Sequence, residues 1–137
     1  AKGRKRSMSF GSKALANGVF PEPTEAWKTV INTLFYVDKC PSLEKVAEKV
    51  RGLLFYDRFR SAIHKSSQGC YFVDITDSID VERDLVRTIE VSSEEEVRTK
   101  VDELCSQPYP DGDKVPLFVF YRLVNTGKGR SGIFVRL

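Results

Sequence analysis

This 137-residue chain has a single histidine, His64, for acid–base work. A histidine base needs a partner that orients its ring and a substrate proton within hydrogen-bond reach. Its neighbours in sequence, Ala62, Ile63 and Lys65, are apolar or basic, so His64 reads as a surface or core residue. Ser66 and Ser67 lie outside any Gly-x-Ser-x-Gly turn that could expose a nucleophile. Gly127, Gly129 and Gly132 spell a dinucleotide fingerprint, but they sit between two strand-like runs. No helix N-terminus follows them to hold a phosphate, and they are read as a hairpin tip. Glu94, Glu95 and Glu96 suit the first turn of a helix, where the backbone dipole favours carboxylates, better than a metal patch. Asp74, Asp77, Asp80, Glu82 and Asp84 lack the fixed spacing of a calcium loop. Cys40, Cys70 and Cys105 are odd in number and contain no CxxC pair, which argues against a zinc site or disulfide frame and for small buried hydrophobes in a reducing compartment. These residues assemble neither a catalytic centre nor a metal site.

The elements that would position any chemistry are easier to read. Ile31, Thr33, Phe35 and Val37 alternate with Val30, Asn32, Leu34 and Tyr36, which predicts a strand over Trp27–Val37. Both of its faces are largely apolar, the pattern of a central strand. Leu43, Val46, Ala47, Val50, Leu53 and Leu54 form an apolar stripe at helical spacing. Tyr56 to Ser61 read as a polar turn, Cys70–Ile75 as a short strand, and Val86–Val91 as another within an acidic segment. Ser93 and Glu96 make a capping-box pattern ahead of a second helix carrying Val97, Val101, Leu104 and Cys105. Pro108, Pro110 and Gly112 close it. Leu117–Val124 and Ile133–Leu137 then pair as an antiparallel hairpin, with 125–132 as its exposed tip. Alternation sets Ile133, Val135 and Leu137 on one face and Phe134 and Arg136 on the other. One face should pack on both helices, and Arg136 should face solvent or a second lobe, because an unpaired buried charge is costly. The layout is an α/β (α+β) sandwich, a mixed sheet covered by two helices.

The net charge of +3 is concentrated at one end: without Lys2, Arg4, Lys5 and Arg6, 18 basic residues face 19 acidic ones. A balanced body carries no nucleic-acid footprint. Residues 1–23 read as a basic tail and lead-in loop, expected to be disordered, with residues 24–137 forming the folded part. Lys2, Arg4, Lys5 and Arg6 could associate with an anionic membrane surface or serve as a localisation signal. No run approaches the ~18 apolar residues that a membrane helix needs. The strand ending at Leu137 has no closing turn, so the chain is expected to be cut within a larger domain.

Arg58-Phe59-Arg60-Ser61 after the first helix, the acidic connector, and Pro108-Tyr109-Pro110 leading into Pro116-Leu117-Phe118 resemble the N-terminal part of wax ester synthase/diacylglycerol acyltransferases. That family writes leucine-aspartate where this chain has Tyr109-Pro110, and tryptophan where it has Phe118. A Pro-Leu-Phe start is shared with non-ribosomal condensation domains of the same CoA-dependent acyltransferase superfold. The resemblance implies the first lobe of a chloramphenicol-acetyltransferase-like fold, truncated before a His-His-x-x-x-Asp-Gly motif expected just after Leu137. It implies an O-acyltransferase fragment, itself inactive, whose parent moves a fatty acyl group from acyl-CoA to a fatty alcohol or diacylglycerol without a cofactor. Pro116, Leu117, Phe118, Phe120 and Phe134 become candidates for a substrate tunnel wall. Residence in the cytoplasm, or peripherally at the endoplasmic reticulum or lipid-droplet membrane, would follow. The alternatives are a condensation-type domain acting on carrier-bound acyl groups and a non-catalytic lipid- or protein-binding module.

Overall fold

The computed structural model describes residues 5–7, 31–66, 69–108 and 114–137. The chain divides into two compact units, and each contains its own sheet.

The smaller sheet has strand order β1-β4-β3, formed by β1 (Lys5–Ser7), β3 (Ser61–Ser66) and β4 (Gly69–Asp74), and is antiparallel throughout. The expected polar turn is in fact a 3-10 turn over Asp57–Arg60 that feeds directly into β3. Ser-Ala-Ile-His-Lys-Ser has little apolar content, and the strand exists because β4 pairs along its whole length, from Ser61 opposite Asp74 to Ser66 opposite Gly69. Phe72 of β4 packs with Ile63 and Leu117 to form a small core. The expected disorder over 1–23 lies outside the described residues except at Lys5–Ser7, which pair as a strand instead.

The larger sheet has the order β2-β7-β6-β5, from β2 (Asn32–Val37), β5 (Val86–Val91), β6 (Val119–Asn125) and β7 (Ser131–Arg136). β5 runs parallel to β6 while the other pairs are antiparallel, so the sheet is mixed, as expected. Helix α1 (Leu43–Leu53) buries Val46, Ala47 and Val50 of the predicted stripe, while Leu43 and Leu53 are half-buried and Leu54 lies beyond the helix. Helix α2 (Glu94–Ser106) makes the crossover that a parallel β5–β6 pair requires. The two helices take opposite faces rather than sharing one. Val97, Val101 and Leu104 of α2 close over Val91, Leu123 and Phe134. Arg122, which alternation points to the other face, donates to Pro41 O at 3.0 Å just ahead of α1.

Two expectations need correcting. β2 is an edge strand: it pairs only with β7 among the described residues, and Phe35 remains 55% exposed. Two-sided apolarity therefore does not mean two-sided burial here. Arg136 is only 4% exposed, on the α2 face beside Phe134. Its Nη1 donates to Leu104 O at 2.8 Å and its Nη2 donates to Gln107 O. The last turn of a helix leaves carbonyls without intrahelical partners, and the guanidinium supplies donors to them.

The hairpin tip is tied down by its neighbours. Asn125 Nδ2 donates to the carbonyls of Lys128 (2.9 Å) and Arg130 (3.1 Å), and Gly127 N donates to Asn125 Oδ1 at 2.9 Å. A Cβ on Gly127 would stand 2.1 Å from Ser92 O, a backbone atom that cannot swing aside. Gly127→Ala should therefore cost about 2 kcal/mol or more. Gly52 in α1 has open space around it, and Gly52→Ala should gain about 0.5–1 kcal/mol from helix propensity. Urea midpoints of the two variants check both signs.

Candidate functional site

The Arg58-Phe59-Arg60-Ser61 segment forms a clasp within its own unit. Arg60 Nε donates to Asp74 Oδ2 at 3.1 Å, its Nη1 to the carbonyls of Leu54 (3.2 Å) and Phe55 (3.0 Å), and its Nη2 to Asp57 Oδ1. Ser61, 2% exposed, donates its hydroxyl to Asp57 O at 2.6 Å. Asp74 in turn accepts from Thr76 N at 2.9 Å and from the Thr76 hydroxyl. Burial alone would push the Asp74 carboxyl up, but the Thr76 and Arg60 hydrogen bonds outweigh it and lower its pKa from 3.8 to about 2. All three guanidinium nitrogens of Arg60 are engaged, so the chemistry of this segment is positional: it holds the turn against β4. Arg58 lies over the Phe72 ring, 5.7 Å from its centroid.

A second place of interest is the end of β7. Ile31 and Leu137 exchange backbone hydrogen bonds of 3.0 and 2.8 Å, so β2 holds the last residues of the strand in line. Thr33 opposite Val135 and Phe35 opposite Ile133 continue the same face, which β6 extends with Phe120 opposite Val135. This strip includes three exposed apolar side chains: Ile31 at 58%, Phe35 at 55% and Leu137 at 41%. Strand alternation was legible in the sequence, but the edge position that bares Ile31 and Phe35 was not.

The five tunnel-wall candidates are divided between the two units. Phe134 (1% exposed) is sealed beneath α2, its ring 5.8 Å from that of Tyr121. Phe120 lies on the opposite face of the same sheet, half-buried, in edge contact with the fully buried Phe118 at 6.0 Å. Leu117 belongs to the Phe72 core of the other unit, and Pro116 is half-buried in that same unit.

His64 stands on β3 opposite Tyr71, half-buried. Among the described residues no group of three or more His, Cys, Asp or Glu could hold a metal ion. The Gly-rich tip does meet a helix N-terminus, contrary to the sequence argument, because folding brings α2 to it. Glu94 fills that position, accepting from Arg130 N at 3.0 Å and Arg130 Nε at 2.7 Å, and these bonds lower its pKa. Ser93 Oγ caps Glu96 N at 3.2 Å, while Glu96 Oε2 accepts from Ser92 N at 2.8 Å and the Ser92 hydroxyl at 2.7 Å, a capping box displaced by one residue. Cys40 is half-buried and Cys105 exposed, so Cys105 is not the buried hydrophobe expected. Burial raises the Cys40 thiol pKa, partly offset by Arg122. Among the described residues no helix is long and apolar enough to cross a membrane.

No family model and no curated protein matches the sequence. Solved structures do match. The condensation domain from the monacolin K polyketide synthase superposes with a TM-score of 0.74 at 11% identity, over 97% of this chain and 29% of that one. The first condensation domain of the calcium-dependent antibiotic synthetase, in complex with a substrate analogue, gives 0.70 at 13% identity over 100% of this chain and 35% of that one. The epimerization domain from the third module of tyrocidine synthetase B gives 0.62 at 9% identity, over 83% and 26%. The fold is thus the chloramphenicol-acetyltransferase-like fold of condensation domains, and the chain spans about a quarter to a third of the structures it matches.

The clasp has a measurable signature. The Asp74 carboxyl is protonated in the unfolded chain near pH 4 but not in the folded one until about pH 2. Its contribution of about 2 kcal/mol is therefore complete above pH ~5 and mostly lost by pH ~2.5. Urea unfolding at those two pH values should show the loss, and Asp74→Asn should be less stable at the higher pH and respond less to acid.

Proposed function

We propose that this chain is the first part of an acyl-transferring domain of the condensation type, acting on acyl groups delivered as thioesters. The observation that carries this reading is the match of nearly the whole chain to condensation domains, with an uncovered apolar strip along β2 and β7. Ile31, Phe35, Phe120, Ile133, Val135 and Leu137 are the wall against which an acyl chain lies. The held end of β7 is the place from which a base would reach the acceptor, since a rigid strand end fixes its distance and direction.

A second reading changes the carrier and the acceptor but not the fold. Arg58-Phe59-Arg60-Ser61 is the segment that resembles a wax ester synthase/diacylglycerol acyltransferase, with acyl-CoA as donor and a lipid alcohol as acceptor, whereas Pro116-Leu117-Phe118 is shared with condensation domains. In both schemes the acceptor attacks the thioester carbonyl and a thiol leaves. They separate on the donor, carrier-bound or CoA-bound, and on the nucleophile, amine or hydroxyl.

The protein expressed from the full reading frame should release thiol from one donor class when given its acceptor, whereas the 137-residue chain alone should release none above background. In the full protein Phe35→Ser should lower kcat/KM for long acyl donors about tenfold, with little effect on acetyl donors. Turnover by the isolated chain, or an equal loss for short and long donors, would overturn this assignment of the strip.

A further inference from the structure

The turn that follows α1 exposes the two most accessible large hydrophobic side chains among the described residues, Phe55 at 82% and Tyr56 at 60%. They adjoin each other with their rings edge to face at 5.7 Å, and Tyr56 also meets Phe59 at 6.4 Å. The Arg60 bond to Phe55 O braces the backbone beneath them. Two adjacent aromatic rings held out to water by a clasped turn are costly unless something apolar receives them.

The charge around this tip indicates what that is. Arg58 is exposed one turn away, and Arg6 reaches Asp57 at 3.6 Å while lying 5.3 Å from the centroid of the same Phe72 ring that Arg58 covers. Lys5 is exposed beside Arg6. Of the nearby carboxylates, Asp57 pairs with both Arg6 and Arg60, and Asp74 pairs with Arg60. Across the described residues of this unit six Lys and Arg stand against three Asp and no Glu.

We propose that Phe55 and Tyr56 form a membrane-interface anchor, with Lys5, Arg6 and Arg58 attracting an anionic lipid surface. The rings enter the headgroup boundary, where aromatic side chains with one polar end are favoured. The basic side chains remain at headgroup level, and neither part suffices without the other. This inference does not depend on the proposed reaction. It differs from a plain tail effect because it puts the apolar half of the attachment on the folded body.

The test is cosedimentation of the full 137-residue chain with phosphatidylcholine vesicles, with and without phosphatidylserine. Binding should require phosphatidylserine and weaken as salt rises to physiological strength, where the Debye length is about 8 Å. Phe55→Ser with Tyr56→Ser should reduce partitioning about tenfold without shifting thermal unfolding. Arg58→Gln should reduce it several-fold and flatten the salt dependence. No binding to anionic vesicles would overturn the proposal. So would full binding by the double variant, including binding that disappears only when residues 1–6 are deleted. A lowered unfolding temperature in the double variant would show that the rings pack against protein instead, and would overturn it too.

Discussion

The larger unit depends on β7 keeping its register. It lies between β2 and β6, and its residues alternate between two unlike surroundings. Gly132, Phe134 and Arg136 point towards α2, where Gly132 leaves room for Val97, Phe134 fills the core and Arg136 takes up helix carbonyls. Ile133 and Val135 point to the other face. A slip of one residue would place a charge and a large ring where aliphatic residues stand, and a glycine where bulk is required. Because every other strand of the sheet is placed directly or indirectly by β7, this alternation fixes the unit.

Arg136 shows why local reasoning reached the right face and the wrong environment. Period-two alternation assigns it to the side of Phe134, and it lies there. The same rule cannot say that a helix from 30 residues earlier ends over that side with carbonyls to spare. Burial of a charge is expensive when unmet and acceptable when acceptors surround it. The sequence holds both partners, but their meeting is a tertiary event.

Much else was legible for an identifiable physical reason. The two helices and the hairpin announce themselves through periodicity and capping, which act over a few residues. β3 stayed hidden because its apolar content is low and its existence comes from pairing with β4. β2 carried a clear strand pattern, but position within a sheet is not written in any one strand, and it proved to be an edge. The candidate site followed the same division. The Arg-Phe-Arg-Ser segment was conspicuous in the chain, yet only the structure shows Arg60 spending its donors on a turn and a carboxylate. The exposed strip along β2 and β7 needs both strands in register before it exists at all.

The pairing of β2 with β7 also governs the order in which this protein can be made. Asn32 finds its partner in Arg136, and Val37 in Ser131, so most of the described residues lie between the two strands in sequence. While the chain emerges from the ribosome, Ile31 to Val37 must wait as an unpaired apolar strand until β7 is synthesised. Helix α1 can form early from local contacts, whereas sheet closure is necessarily late and slow. An extended apolar segment held open for that interval is the kind of surface that chaperones engage and that aggregates nucleate from. The strand that completes the sheet is therefore also the one that leaves the nascent chain most vulnerable.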